Sequence, residues 1–280
     1  MAGEHHDREQ PRLPYHLYMP ARPQAPLLVL VHGVSTRPAR LIEYASALAA
    51  RHGVPLLAPD FSGDAFAGYQ RVKGRDGRMD AARALRLAVN EVCIRHGLAS
   101  DRFDLMGFSA GAQFAHRFAL HFPGSVRRAV VASAGWYTYL NRTLAYPQGV
   151  GTDEAAPGAP DPEAFLRLPI LVAVGEKDTE RGENLRTSPD LDRRQGAHRF
   201  ERACRWFDHL SEEALKRGVA DQFEFCVLPK TGHSLKEAVR HGGLMGRSFD
   251  FLLRPERETV VQPSDQMAGS AELALSVLGG

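Results

Sequence analysis

The chain has 280 residues, of which 44% are hydrophobic and 24% are charged, the usual mixture of a globular protein. Its 35 Lys and Arg residues nearly balance 33 Asp and Glu residues, so the formal net charge of +2 argues against a polyanion-binding surface, and no nucleic-acid partner is expected. The three cysteines, Cys93, Cys204 and Cys226, match no metal-ligand spacing and predict reduced thiols without a bound metal.

The N-terminal sequence, MAGEHHDREQPRLP, has charged residues and histidines where a signal peptide needs an apolar stretch. No run in the chain approaches the roughly 20 apolar residues of a membrane span. We therefore expect a cytoplasmic protein with no membrane span. The sequence predicts no particular oligomeric state.

Apolar runs rich in β-forming residues alternate along the chain with longer stretches of helical period. Seven runs are predicted as strands: 15–20, 26–33, 54–61, 102–108, 126–135, 169–175 and 222–228. Five stretches are predicted as helices: 39–53, 78–97, 110–122, 197–218 and 234–243 onward. This alternation predicts an α/β protein with a mostly parallel sheet and helices on both of its faces.

The predicted elements form one continuous series without an internal repeat. We assign residues 15–253 to a single catalytic domain, 1–14 to a flexible N-terminal segment and 254–280 to a C-terminal tail. Residues 141–168 are rich in Gly, Pro and Ala and lack a sustained helical stripe. They are predicted to form a loop over the site, so no large lid domain is expected.

The stretch LMGFSAGAQF, at 105–114, places Ser109 between Gly107 and Gly111 where a strand changes into a helix. A serine nucleophile needs exposure, a base beside it and hydrogen-bond donors for the oxyanion that develops. A sharp turn between strand and helix meets these geometric needs, and glycines on both sides give it room. The alternative is a Gly-Ser turn without chemical meaning.

Four short motifs occur in a characteristic order: HG after the strand LLVLV, the turn GFSAG, then GEKD and finally GHS. With these motifs the chain resembles the α/β-hydrolase superfamily over about residues 15–253. It is most similar to small single-domain esterases of the polyester-depolymerase-like or dienelactone-hydrolase-like kind. The resemblance implies the order nucleophile, acid, base along the chain.

The predicted base is His233, which follows the strand QFEFCVL through the segment PKTG. It would lie at the carboxyl edge of the sheet, where ligand sites form in open α/β sheets. The other histidines considered are His116, His121, His198 and His209, which are predicted to lie within helices and to be exposed. A structural role for His233 is the alternative.

The predicted acid is Asp178, which lies just beyond the strand PILVAVG and matches the position that the resemblance implies. Its role would be to hold the imidazole in the required tautomer and to stabilise its positive charge. Glu176 is a rival, and Asp190 and Asp192 are more distant ones. Asp104 is excluded because it lies inside the strand that leads to Ser109.

By resemblance, the oxyanion hole uses the backbone N–H groups of Val34 and Ala110. His32 is expected to brace the HG loop and not to transfer protons. The segment AGWYTYL brings Trp136 and Tyr137 close to the expected site, where they are predicted to bind substrate. Packing of these two aromatic residues in the core is the alternative.

The function predicted from these residues is hydrolysis of carboxylic esters through an acyl-enzyme on Ser109, with short-chain or polymeric esters as substrates. No cofactor is predicted, since the sequence lacks a dinucleotide-binding GxGxxG turn and a P-loop. The alternatives are a peptidase, a thioesterase or an acyltransferase on the same triad. A binding protein that keeps the fold without the chemistry is a further alternative.

Overall fold

The computed structural model describes residues 12–72, 80–99, 101–151, 159–220 and 222–255. Within them seven strands form one sheet: β1 Tyr15–Tyr18, β2 Leu28–Val31, β3 Leu56–Pro59, β4 Phe103–Phe108, β5 Val126–Ala132, β6 Ile170–Gly175 and β7 Phe223–Leu228. Every predicted strand is therefore present. Each observed strand is shorter than its predicted run, at one end or at both.

The strand order in the sheet is β1-β3-β2-β4-β5-β6-β7. β1 pairs antiparallel with β3, and all other pairs are parallel. The predicted mostly parallel sheet is confirmed. Because the chain runs from β2 outward to β3 and then returns to β4 on the other side of β2, a crevice is expected at the carboxyl ends of β2 and β4.

Within the described ranges, eight α-helices connect or flank the strands: α1 Pro38–His52, α2 Asp80–His96, α3 Ala110–His121, α4 Pro162–Leu166, α5 Pro189–Gln195, α6 Arg199–Lys216, α7 Leu235–Arg240 and α8 Leu244–Leu252. α1 shows how the sequence sets its bounds. Proline occupies its first position, where no intrahelical N–H is needed, and Gly53 ends it with a left-handed φ of +65°.

The strands are buried on both faces, as β2 illustrates. Leu28 and Leu30 belong to a cluster that includes side chains of α1 and α8. Val29 and Val31 belong to a second cluster that includes side chains of α2, α3 and α6. Since successive side chains of a strand point to opposite faces, a continuously apolar strand is what a sheet covered by helices on both faces requires.

Two histidines of α3 correct the expectation that they are exposed. His116 is 1% exposed and His121 is 6% exposed. The Nδ1–H of His116 donates to the Ala112 carbonyl at 2.8 Å, and its Nε2 accepts from the Thr138 N–H at 3.1 Å. The reason is that the segment after β5 covers the side of α3 that faces away from the sheet, so this helix has no solvent face there.

A carboxylate is buried inside the sheet as well. Asp104, in β4, is 2% exposed and accepts a hydrogen bond from the Arg127 guanidinium of the neighbouring strand β5. Burial raises the pKa of Asp104 to about 6, and the attraction of Arg127 opposes that increase. This pair lies away from the carboxyl edge of the sheet.

Several predictions fall on segments that the structure describes only in part. Residues 1–11 of the predicted N-terminal segment and residues 256–280 of the predicted tail lie outside the described residues. Leu13, in contrast, is 5% exposed and belongs to the core, so the last part of the segment 1–14 is packed. In the predicted loop 141–168, residues 152–158 are outside the described residues and α4 forms one short helix.

Candidate active site

The turn from β4 into α3 explains the two glycines around Ser109. Ser109 has a φ of 57° and a ψ of −115°, a conformation that L-residues rarely adopt. A Cβ atom on Gly107 would lie 2.1 Å from the Gly111 carbonyl oxygen, and one on Gly111 would lie 2.0 Å from the Val31 carbonyl oxygen. No other residue fits at these two positions, and the turn holds the serine in a strained, projecting position.

Ser109, His233 and Asp178 are linked by two hydrogen bonds. The Ser109 Oγ lies 2.9 Å from His233 Nε2, and His233 Nδ1 lies 2.9 Å from Asp178 Oδ2. One tautomer satisfies both contacts: Nδ1–H donates to the carboxylate, and Nε2 accepts from the serine hydroxyl. This is the arrangement in which a histidine can take a proton from a serine.

The parallel sheet brings these three distant residues together. Ser109 follows β4, Asp178 follows β6 and His233 follows β7, so all three lie at the carboxyl edge. The loops after β6 and β7 are closely packed, because the Lys177 N–H donates to the Thr231 carbonyl at 2.8 Å. The His233 ring also stacks on Phe108, with ring centroids 5.6 Å apart.

The other carboxylates considered for the acid have different partners. Glu176 accepts a hydrogen bond from the Lys230 N–H at 2.9 Å. Asp190 pairs with two arginines of its own helix, and Asp192 pairs with Arg181 and Arg202. Of the four candidates, the structure therefore brings Asp178 to His233.

Asp178 has a second charged neighbour that the sequence did not suggest. Its Oδ1 lies 3.6 Å from Nη1 of Arg199, the first residue of α6, and both side chains are nearly inaccessible to solvent. Arg199 also donates to the Asn184 carbonyl at 3.1 Å. Burial lowers the pKa of Arg199 and the nearby Asp178 carboxylate opposes the decrease. The guanidinium balances the charge of the buried carboxylate.

The two predicted oxyanion-hole residues lie beside the serine. Val34 and Ala110 line the same cleft as Ser109, and a Cβ atom on Gly33 would lie 3.3 Å from the Ser109 Cβ. Ala110 is the first residue of α3, where backbone N–H groups have no intrahelical acceptor. The placement is compatible with the predicted role, which stays a prediction.

His32 makes the bracing contacts expected of it. Its Nε2 accepts from the Phe61 N–H at 3.0 Å, and its Nδ1–H donates to the Gly33 carbonyl at 2.8 Å. The Tyr69 hydroxyl donates to the His32 carbonyl at 2.7 Å. Burial lowers the pKa of His32, which favours the neutral ring that this pattern requires.

The triad opens into a cleft of about 280 Å³. Trp136 lines this cleft, as predicted. Tyr137 does not: it is fully buried, and its ring stacks on Trp206 with centroids 4.5 Å apart. Gln195 of α5 fixes the Tyr137 backbone, since its side chain donates to the Tyr137 carbonyl and accepts from the Tyr137 N–H, each at 2.9 Å. The prediction that Tyr137 contacts substrate is corrected to core packing.

The cleft also has polar walls that the sequence analysis missed. Gln113 lies one helical turn after Ser109, so its spacing could have indicated that it faces the site. Arg71, Arg186 and Arg199 line the cleft as well. Arg71 ends a short 3₁₀ helix, Arg186 lies in a loop and Arg199 begins an α-helix, and no motif or periodicity in the sequence marks them.

Neither a metal-binding cluster nor a membrane-spanning helix is found among the described residues. No group of three or more His, Cys, Asp or Glu side chains in this part of the chain could hold a metal ion. Across the same residues, no helix combines the length and the apolar character needed to cross a membrane.

No family model and no curated protein matches the sequence. The chain is similar to the solved structure of poly(aspartic acid) hydrolase-1 from Sphingomonas sp. KT-1, with a TM-score of 0.73 and 23% identity over 86% of this chain and 94% of that one. It is similar to a poly(3-hydroxybutyrate) depolymerase from Bordetella parapertussis, with a TM-score of 0.66 and 22% identity over 84% and 89%.

An S-formylglutathione hydrolase from Agrobacterium tumefaciens has a TM-score of 0.56 and 16% identity over 86% of this chain and 90% of that one. At these identities the likeness establishes a shared fold. The fold prediction is confirmed, including the absence of a large lid domain.

Proposed function

Starting from the α/β-hydrolase fold of this chain, we propose that it is a serine hydrolase that cleaves carboxylic esters through an acyl-enzyme. The observation that carries the proposal is the pair of 2.9 Å contacts that join Ser109, His233 and Asp178 at the carboxyl edge of the sheet. An aligned serine, histidine and carboxylate in a cleft is the arrangement that acyl transfer requires.

In the proposed reaction, His233 Nε2 accepts the Ser109 proton while the serine oxygen attacks the ester carbonyl. The N–H groups of Val34 and Ala110 donate to the oxyanion that develops. The tetrahedral intermediate collapses as His233 protonates the leaving alcohol, and water activated by the same histidine then hydrolyses the acyl-enzyme. Asp178 stabilises the imidazolium in both steps. The proposed steps use no cofactor or metal.

We propose short-chain or polymeric esters as substrates. The open cleft and the similarity to the poly(3-hydroxybutyrate) depolymerase support this class. Amide hydrolysis is a second candidate, because the chain is also similar to a hydrolase of poly(aspartic acid), a polyamide. Activity toward matched substrates would distinguish the thioesterase, acyltransferase and non-catalytic alternatives. The cytoplasmic location also stays a prediction.

The test of the proposed function is the variant Ser109→Ala. We expect it to lose labelling by a fluorophosphonate probe and to lower kcat for p-nitrophenyl butyrate by about 10⁴-fold or more, because the nucleophile is absent. Ser35→Ala is the matched control, since Ser35 lines the same cleft whereas His233 hydrogen-bonds to Ser109 and Asp178. Labelling of Ser109→Ala at the wild-type rate would refute the assignment.

A panel of one acyl group presented as an oxygen ester, a thioester and an anilide separates the candidates. The proposed function predicts the highest kcat/KM for the oxygen ester. A higher value for the anilide would favour amide hydrolysis. No turnover of any of them, together with absent labelling of the wild type, would favour the non-catalytic binding protein.

A further inference from the structure

The cleft beside the triad is lined by an unusual set of charges. Three of its lining residues are arginines: Arg71, Arg186 and Arg199. Among the described residues that line it, none is Asp or Glu. The buried carboxylate of Asp178 pairs with Arg199 and His233. The positive charge of Arg199 is therefore balanced, whereas no described carboxylate forms an ion pair with either of the other two arginines.

Arg71 and Arg186 differ from most arginines of this chain. Arg40 pairs with Glu43, and Arg193 pairs with Asp190. In the part of the chain that the structure describes, the guanidinium groups of Arg71 and Arg186 form no ion pair and no hydrogen bond with another protein group. Arg186 is instead held by stacking, with its guanidinium carbon 5.1 Å from the centre of the Trp136 ring.

A further guanidinium lies behind the same tryptophan. Arg117 is fully buried, and its guanidinium carbon is 4.2 Å from the centre of the Trp136 ring, in addition to the 5.1 Å contact of Arg186. It donates to the Gln70 carbonyl at 2.6 Å, next to Arg71 in the chain. Its Nη2 is buried without a hydrogen-bond partner.

The positive charges of Arg71 and Arg186 disfavour the charged form of Arg117. Burial and these two neighbouring charges, opposed by Tyr146, together lower the pKa of Arg117 to about 10. Three positive groups are therefore close enough to destabilise one another. An anion bound among them would relieve the repulsion, and the partial exclusion of water from the cleft would strengthen its attraction to them.

We propose that Arg71 and Arg186 form a subsite that binds a carboxylate carried by the substrate, next to the carbonyl that Ser109 attacks. This inference rests on the proposed function and names its substrate class: esters that carry a second, free carboxyl group. The planar guanidinium forms two parallel hydrogen bonds with a carboxylate, and the cation–π contact with Trp136 restrains the Arg186 side chain before substrate arrives. Arg117 adds positive charge from behind the ring.

The experiment compares pairs of esters that differ in one charge. Ethyl hydrogen glutarate carries the carboxylate on the acyl side, and its neutral partner is the corresponding primary amide, ethyl 4-carbamoylbutanoate. The butyrate ester of 4-hydroxybutanoate carries the carboxylate on the alcohol side and has its own amide partner. In at least one pair we expect kcat/KM to be about tenfold or more higher for the carboxylate, as charge-assisted hydrogen bonds predict.

Three variants test which residues cause the preference. Arg71→Gln and Arg186→Gln are each expected to reduce the ratio of kcat/KM between carboxylate and amide by about tenfold. Arg186→Lys keeps the positive charge but lacks the planar guanidinium. Its ratio of kcat/KM between carboxylate and amide should lie between those of the wild type and Arg186→Gln. Arg51→Gln is the matched control: it removes one exposed Arg charge at the end of α1, at the opposite edge of the sheet, and should leave the ratio unchanged.

The outcomes separate this inference from the proposed function. Equal kcat/KM for carboxylate and amide in both pairs, with normal turnover of both, would overturn the subsite and leave ester hydrolysis intact. A preference that survives both Gln variants would also overturn it. Failure to hydrolyse any ester, with no labelling of Ser109, would instead overturn the proposed function. The side on which the preference occurs identifies whether the carboxylate belongs to the acid or to the alcohol.

Discussion

Two aspartates among the described residues are almost completely buried, and the basic groups around them differ: Arg127 contacts Asp104, whereas both His233 and Arg199 contact Asp178. Asp104 lies inside β4 and accepts from Arg127, whereas Asp178 lies beyond the end of β6 and accepts from His233. A guanidinium keeps its proton at every physiological pH, so the first pair is a fixed link between strands. An imidazole can gain and lose a proton, so the second pair is suited to proton transfer.

The largest expected effect is a loss of activity when Asp178, but not Asp104, is changed to asparagine. Asp178→Asn should lower kcat by about 10³–10⁴-fold, because an amide that donates to Nδ1 leaves the proton on Nε2, which then cannot accept from Ser109. The measurement is kcat for p-nitrophenyl butyrate, with the Tm recorded to establish that the variant is folded.

The matched control is Asp104→Asn, which makes the same change in the carboxylate that contacts arginine. We expect it to hydrolyse the ester at the wild-type kcat. Suppose that this variant, at an unchanged Tm, lost as much activity as Asp178→Asn. The distinction between a structural role for Asp104 and a catalytic role for Asp178 would then be wrong.

An intermediate effect concerns the stability conferred by Asp104. Its folded-state pKa of about 6 lies above the ordinary value of 3.8, because burial disfavours the charged form. The folded state therefore holds this proton more tightly, and the contribution of Asp104 to the free energy of unfolding is highest below about pH 4 and falls as the pH rises through 6.

The check is the Tm of the wild type and of Asp104→Asn at pH 4.5 and at pH 7.5. The Tm of the wild type relative to the variant should fall by a few degrees between these two values, since one pKa unit corresponds to about 1.4 kcal/mol. A relative Tm that rises with pH would mean that the attraction to Arg127 outweighs the cost of burying the charge.

The smallest expected effect is that of Glu176→Gln, the nearest rival of Asp178. The glutamine carbonyl can still accept from the Lys230 N–H, so kcat should not change measurably and the Tm should fall by less than about 2 °C. If instead kcat falls as far as in Asp178→Asn, the acid of the triad has been assigned to the wrong carboxylate.

The sheet was predictable because its signals are local. A continuously apolar run such as that at Leu28–Val31 is what a strand buried on both faces needs, and apolar runs rich in β-forming residues predict all seven strands. The serine turn was also predictable, because two glycines and a change of period mark it within ten residues. Asp178 and His233 followed from their places beyond strand ends, where parallel strands bring distant residues together.

The environments of individual side chains were not predictable, because they depend on segments that are far apart in the chain. His116 was expected on an exposed helix face, but Thr138 and Trp206 cover it. α5 was missed because seven residues show too little period to be recognised. Tyr137 and Trp136 are adjacent in the chain, yet Tyr137 packs in the core and Trp136 lines the cleft. The residue types alone do not predict which of the two faces the cleft.

The strand order has a consequence for how activity can be lost. β7, which delivers His233, is the last strand of the sheet and has a neighbour on one side only within the described residues. Ser109, by contrast, follows β4 near the centre. Edge elements open more readily than central ones, so detachment of β7 alone would separate His233 from Ser109 while most of the core stayed folded. Turnover depends on the attachment of this edge strand. We therefore expect turnover to be lost before a probe of the whole core detects unfolding.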